Sequence, residues 1–318
     1  MKSCDRSQHS KKPTGEVMRK TALSLIAILF VSSVTTSIKA QAIVNEKGPS
    51  DETPGLFAKL DGSRVHYRNY GQGDEALVFI HGWTCDMSFW GGQWYPFQRL
   101  KRVILIDLLG HGKSDKPQIA YSMDLFARAV KAVLDDAKVK RAVLVGHSMG
   151  TPVIRQFYRK YPNETAALVI VDGGLRAFGD KKMMDAFIAP LRGPNYGEAA
   201  GRFVDSMLAP IASQKLREEI KRSMLNTPQH VAVSAMEGMA DPAVWSEDKI
   251  NVPVLAILAK SPFWPADNEK IFRSIAPDLE YQMMDGVSHF LMMEKPDEFN
   301  RALATFLVKI KFINEVKR

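Results

Sequence analysis

Three uninterrupted aliphatic runs, VILI at 103–106, AVLV at 142–145 and LVIV at 168–171, constrain this chain more than any other feature. A strand wet on one face alternates apolar and polar residues. A strand apolar at every position is covered on both faces, as the inner strands of a parallel sheet are. Eight segments read as strands: 57–60, 64–69, 76–80, 103–107, 142–145, 167–171, 254–259 and 279–284. Helical spacing of apolar residues falls among them at 123–137, 151–161 and 296–311. Strands alternating with helices predict a doubly wound, mostly parallel, eight-stranded α/β sheet.

The alternation stops between Gly173 and Lys249, where only helical patterns occur, with Met183, Met184, Phe187, Ile188, Phe203, Met207, Leu208, Ile211, Met224, Val231, Met236 and Met239 set among polar residues. Roughly 75 residues between two strands is too long for a connecting loop. Residues 175–249 are therefore expected to form a helical cap inserted after the sixth strand, over the strand ends where open α/β sheets bind ligands. The core is then 55–174 and 250–318.

Residues 21–38 carry no charge, follow Arg19 and Lys20, and precede the triplet Ala40-Gln41-Ala42. A basic flank, a short apolar run and small residues for cleavage are the layout of a secretory signal peptide over 1–42. The most apolar part, 22–34, is short for a membrane span, which needs about 20 residues. The mature chain is expected to begin near Gln41 or Ile43, to be secreted or periplasmic, and to start with a polar, flexible arm over 43–54. Met18 is an alternative start. Losing 1–42 removes seven basic and two acidic residues and lowers the net charge from +8 to +3. So small a bias gives no reason to expect a nucleic acid or membrane-surface partner. Cys4 leaves with the leader, and Cys85 alone cannot form an internal disulfide.

Gly146-His147-Ser148-Met149-Gly150 follows a strand and opens a helical pattern, which is the setting of a nucleophile elbow. Three more segments end strands: His81-Gly82-Trp83; 107–114 (DLLGHGKS); and 285–289 (DGVSH). In order and spacing these motifs resemble the α/β-hydrolase fold superfamily, from about Leu56 to Lys311. The resemblance implies a serine-dependent, esterase-type enzyme with Ser148 as nucleophile, and it leaves the substrate open because this fold hosts many chemistries.

Of seven histidines, His289 completes the Ser…acid…His order that the resemblance implies, and Ser148 needs a base of near-neutral pKa. His147 is expected to support the turn, His81 to act structurally beside the oxyanion loop, His111 to belong to the GHG turn and His66 to an early strand; His9 is in the leader. The oxyanion hole should use the backbone N–H groups of Met149 and Trp83. The triad acid is open. The family's usual segment after the seventh strand reads Ala259-Lys260-Ser261-Pro262 here, without an aspartate. Three readings remain: Asp172 at the end of the sixth strand; Asp267, which is also suited to a helix N-terminus; or no carboxylate, with Ser261, backbone or water orienting His289.

Trp83, Phe89, Trp90, Trp94, Phe178, Phe187, Trp245, Phe263, Trp264 and Phe290 fall around the expected mouth and suit an apolar substrate, although each taken singly is better read as core. No metal-ligand spacing occurs, and no cofactor is expected; Asp107, His111 and Asp115 fit the turn after the fourth strand. The leading expectation is hydrolysis of a small or medium carboxylic ester through an acyl-serine. Lactone or C–C hydrolysis and cofactor-free perhydrolysis share the same serine frame. A serine elbow argues against haloalkane dehalogenases and epoxide hydrolases, which use an aspartate nucleophile. The rival of another class is a non-catalytic ligand binder.

Overall fold

A computed structural model describes residues 52–314; the expected leader, all but the end of the expected arm and the last four residues lie outside it. The eight strands are β1 (Leu56–Leu60), β2 (Ser63–Tyr70), β3 (Glu75–Ile80), β4 (Arg102–Ile106), β5 (Arg141–His147), β6 (Thr165–Val171), β7 (Val254–Ala259) and β8 (Leu279–Met284). They form one sheet in the order β1-β2-β4-β3-β5-β6-β7-β8. β1 and β2 are antiparallel, turned by Asp61 and Gly62 at φ +48° and +84°, the paired positive angles of a two-residue hairpin turn. β2 also runs antiparallel to β4, and all later pairings are parallel. β4, β5, β6 and β7 are buried along almost their whole length, as their aliphatic runs require.

Helices cover the sheet: α1 (Trp94–Gln98), α2 (Met123–Asp136) and α3 (Gly150–Lys160) before β6, and α8 (Asn268–Ile275), α9 (Leu291–Glu294) and α10 (Pro296–Lys309) after β7. Ser122 starts α2 by accepting a hydrogen bond from Leu125 N–H. The fourth strand stops at Ile106, one residue short of the expected end, because the Asp107 carboxylate turns back to accept the N–H groups of Met87 and Lys113. Likewise α10 stops at Lys309, and Lys311 just beyond it stands at φ +58°.

Between β6 and β7 lie four helices, α4 (Lys181–Arg192), α5 (Tyr196–Leu208), α6 (Gln214–Leu225) and α7 (Gln229–Met239). Asp180 and Ser213 cap α4 and α6. Ile188, Val204, Met224 and Met236 are buried, whereas Met183 and Phe187, also expected on helices here, are exposed. Both roots of this insertion converge on α3. The buried Arg155 donates through Nη1 to Leu175 O at 2.9 Å and through Nη2 to Ser246 O, while Arg159 reaches Val244 O and the Asp248 carboxylate. Burial lowers the Arg155 pKa to about 10.

Arg155→Met should strand the buried Leu175 carbonyl, at about 1–3 kcal/mol, while Ser246 O keeps its Arg159 donor, and should lower the unfolding free energy by about 1–3 kcal/mol. The urea midpoint measures it. A loss below about 1 kcal/mol would mean that other contacts hold the insertion's roots.

Candidate active site

The strand order reverses between β3 and β5, since β4 lies on one side of β3 and β5 on the other. Ligands of open α/β sheets bind at the carboxyl ends beside such a reversal. The turns leaving β3 and β5 are His81-Gly82-Trp83 and the Ser148 elbow.

Ser148 holds φ +52°, a left-handed conformation that costs a non-glycine residue about 1–2 kcal/mol. Its neighbours enforce it. A Cβ on Gly146 would lie 2.4 Å from Gly150 O, and one on Gly150 would lie 2.7 Å from Ile80 O. Ser148 N–H donates to Val171 O at 2.9 Å, so the ladder between β5 and β6 runs on into the elbow. Asp172 repeats the device at the end of β6, with φ +43° and its N–H on Ile257 O at 2.9 Å. Gly173 then fits beneath the elbow, where a Cβ would stand 2.0 Å from Thr151 Oγ1.

The structure brings Asp172, and neither alternative, to His289. His289 Nδ1–H donates to Asp172 Oδ2 at 2.7 Å. Asp172 Oδ1 accepts Ala259 N–H at 2.8 Å and Trp264 Nε1–H at 3.3 Å. The Asp172 side chain is 8% exposed and that of His289 is 23% exposed, so the pair is shielded behind and open in front. With the proton on Nδ1, His289 Nε2 carries the lone pair a base needs. Among the described residues no hydrogen bond joins that nitrogen to Ser148 Oγ; such bonds often tighten only around a substrate. Asp267 is exposed at the N-cap of α8 without making a capping hydrogen bond, and Ser261 Oγ accepts Phe263 N–H.

His66, His81, His111 and His147 are each held by hydrogen bonds. His147 Nε2–H donates to His289 O at 2.8 Å, so His147 supports the His289 loop. His81 Nδ1–H donates to Gly82 O at 2.8 Å while Nε2 accepts Leu108 N–H at 3.0 Å, which ties the turn after β3 to the turn after β4. Burial lowers the pKa of both, well below the ordinary value for His147, and lowers that of His111 to about 3. All three are therefore neutral and poor proton acceptors. His66 forms a second buried histidine–carboxylate pair, 2.7 Å from Asp107, but Gly55 covers its Nε2 so closely that a Cβ there would lie 2.3 Å away. His230 lies in the insertion, with its ring 6.3 Å from that of Tyr121. Asp115 pairs with Arg64 at the turn after β4.

Met149 and Trp83 are both buried, and among the described residues neither backbone N–H finds an acceptor within the protein. Buried N–H groups seldom stay unpaired. The two turns lie against each other: a Cβ on Gly82 would be 3.1 Å from Ser148 Cβ. Two free donors beside a strained serine can receive the negative oxygen of a tetrahedral intermediate.

Of the ten aromatic residues expected near the mouth, Trp83, Phe89, Trp90, Trp94 and Phe290 are buried in the core. Trp94 stacks on Tyr70, 4.7 Å between ring centres. Phe178, 43% exposed, and Phe263, 62% exposed, instead make a ring cluster with Trp245 and Trp264 on the side of Asp172. Sequence reasoning missed two supports. The sequence offers Trp264 only as an aromatic ring, whereas its indole N–H holds the acid. Glu294 accepts both Ser288 N–H and Ser288 Oγ–H, at 2.7 and 2.5 Å, and braces the loop of His289. Among the described residues no cluster suited to a metal ion occurs.

A profile described as the alpha/beta hydrolase family matches residues 77–302. A 2-hydroxy-6-oxononadienedioate/2-hydroxy-6-oxononatrienedioate hydrolase of Paraburkholderia phymatum is 29% identical, covering 77% of this chain and 91% of its own. Among solved structures, Est816, described as an N-acyl homoserine lactone degrading enzyme, is similar with TM-score 0.68 and 27% identity over 79% of this chain and all of that one. A thermophilic esterase is similar with TM-score 0.65 and 27% identity over 81% of this chain and 98% of that one. With the family profile spanning most of the chain, and the sheet, elbow and strand order agreeing with it, the protein belongs to the alpha/beta hydrolase family.

Proposed function

We propose that the protein is a serine hydrolase that cleaves a small or medium, apolar carboxylic ester through an acyl-serine intermediate. The observation that carries this reading is the Asp172–His289 hydrogen bond, which leaves Nε2 free to act as a base; an elbow serine and two unpaired N–H groups supply the other parts. Ser148 Oγ attacks the ester carbonyl as His289 takes its proton. Met149 and Trp83 N–H hold the oxyanion. His289 returns the proton to the departing alcohol, and a water activated by the same imidazole releases the acid. On the reading of 1–42 as a secretory leader, the enzyme works in the periplasm or the medium.

Lactones are the second reading, since a lactone is a cyclic ester opened by the same steps and Est816 degrades one. A dienedioate, the substrate type named for the Paraburkholderia relative, calls for cations near the site. The arginines of the segments that carry Ser148 and Asp172 are otherwise engaged: Arg155 and Arg159 with carbonyls and Asp248, and Arg176 with Glu247. The exposed rings of Phe178 and Phe263 favour an apolar group instead.

For p-nitrophenyl acetate, propionate and butyrate, kcat/KM should rise about fourfold per methylene, the equivalent of about 0.8 kcal/mol for each one buried. A flat or falling series would overturn the apolar acyl site. Absence of turnover with esters and lactones alike would overturn the reading as a whole.

A further inference from the structure

The turn that carries Trp83 is strained, and the insertion holds it. Cys85 N–H donates to Gly82 O at 3.2 Å, closing a four-residue turn in which Thr84 stands at φ +55°. That position of a type II turn favours glycine or asparagine, and a β-branched residue there is an outlier. Strain of this kind persists only where the surroundings over-determine it. Thr84 gains nothing from its own side chain, because its buried Oγ1 has no hydrogen-bond partner.

The surroundings are three hydrogen bonds shared with the insertion. Thr227, buried between α6 and α7, donates through Oγ1 to Thr84 O at 3.1 Å. Ser223 Oγ–H donates to Asp86 Oδ2 at 2.5 Å. Trp83 Nε1–H donates to Ala232 O at 2.7 Å, and its ring lies 5.4 Å from that of Phe203. Thr84 can relax to negative φ only by turning over the peptide that joins it to Trp83, one peptide along from the Trp83 N–H.

We infer that the insertion sets the shape of the oxyanion hole, with Thr227 as the positioning residue that acts through the Thr84 carbonyl on the Trp83 N–H. This rests on the proposed serine mechanism. Thr227 itself touches no reacting atom.

Losing an oxyanion donor outright costs about 10²–10³ in kcat, so misdirecting one should cost about tenfold. Thr227→Val keeps the shape and removes the hydroxyl. It should lower kcat about tenfold with KM within about twofold, and weaken a boronic acid that forms a tetrahedral adduct on Ser148 by the same factor. Thr227→Ser restores the hydroxyl and should restore kcat. A merely structural threonine would lower the melting temperature without separating kcat from KM. Thr227→Ala serves where the valine variant does not fold. Thr227→Val at wild-type kcat, or Thr227→Ser as impaired as Thr227→Val, overturns the inference and leaves the hydrolase reading standing. Should the wild-type protein turn over no ester or lactone, the hydrolase reading falls. The amide resonances of Trp83 and Thr84 then decide: movement in Thr227→Val supports the positioning of the turn, and unchanged resonances overturn it.

Discussion

Ser148→Ala and His289→Ala should each lower ester hydrolysis by about 10⁴-fold or more, with the double variant little worse than either. The serine is a nucleophile only while the imidazole removes its proton, so the second deletion takes away nothing that still works. What remains should be the contribution of the oxyanion donors and of binding, which these substitutions leave in place. Steady-state rates on p-nitrophenyl butyrate for the three variants, each with a wild-type circular dichroism spectrum, measure this. A His289→Ala enzyme near full activity would mean that another group is the base. Losses that multiply in the double variant would mean that the two residues act separately.

Asp172→Asn should lower kcat by about 10²–10⁴-fold and leave the fold intact. The asparagine has almost the shape of the carboxylate and can still accept Ala259 N–H. What changes is the proton on His289. Facing a neutral amide, the imidazole can place its proton on Nε2, which then cannot accept one from Ser148. The charge that stabilises the imidazolium is gone as well. Asp267→Asn should leave kcat within about twofold, since its carboxylate is exposed and makes no capping hydrogen bond. Parallel kinetics of the two variants decide the assignment. If neither loses more than about tenfold, roughly 1.4 kcal/mol, a Ser148–His289 dyad describes the site and the hydrogen bond to Asp172 is structural.

The sheet was legible in the sequence because burial on both faces writes itself as uninterrupted aliphatic runs, and the elbow because its glycines sit where any side chain would strike backbone. The triad acid was not. His289 can be reached from the end of β6 or from the segment after β7, and chain order does not say which loop folds toward it. The answer lies in registry: the ladder from β5 through β6 to β7 carries Ser148 and Asp172 to the same end of the sheet. The aromatic residues were ambiguous for another reason. Phe89, Trp90 and Phe290 are core, Phe178 and Phe263 are exposed, and nothing in the identity of a ring tells these apart. Arg155 and Thr227 left no signal, because their partners are main-chain carbonyls, which every residue has.

The two-armed grip of Arg155 on Leu175 O and Ser246 O bears on how this enzyme can change. With Arg159, which also holds Ser246 O, it makes the insertion a closed loop whose ends meet on α3. The entropy of closing such a loop grows only with the logarithm of its length, about 0.6 kcal/mol for each doubling. The core is therefore nearly indifferent to how many residues lie between the two roots, so long as two carbonyls return to the same place. The segment between the roots can be lengthened, trimmed or exchanged for an unrelated one while Arg155, Ser148, Asp172 and His289 keep their positions. Because Thr227 and Ala232 lie within that segment, an exchanged segment must also supply a donor for Thr84 O and an acceptor for the Trp83 indole. Specificity could then diverge between descendants of such a chain at little cost in stability, with catalytic rate depending on two hydrogen bonds carried by the replaceable part.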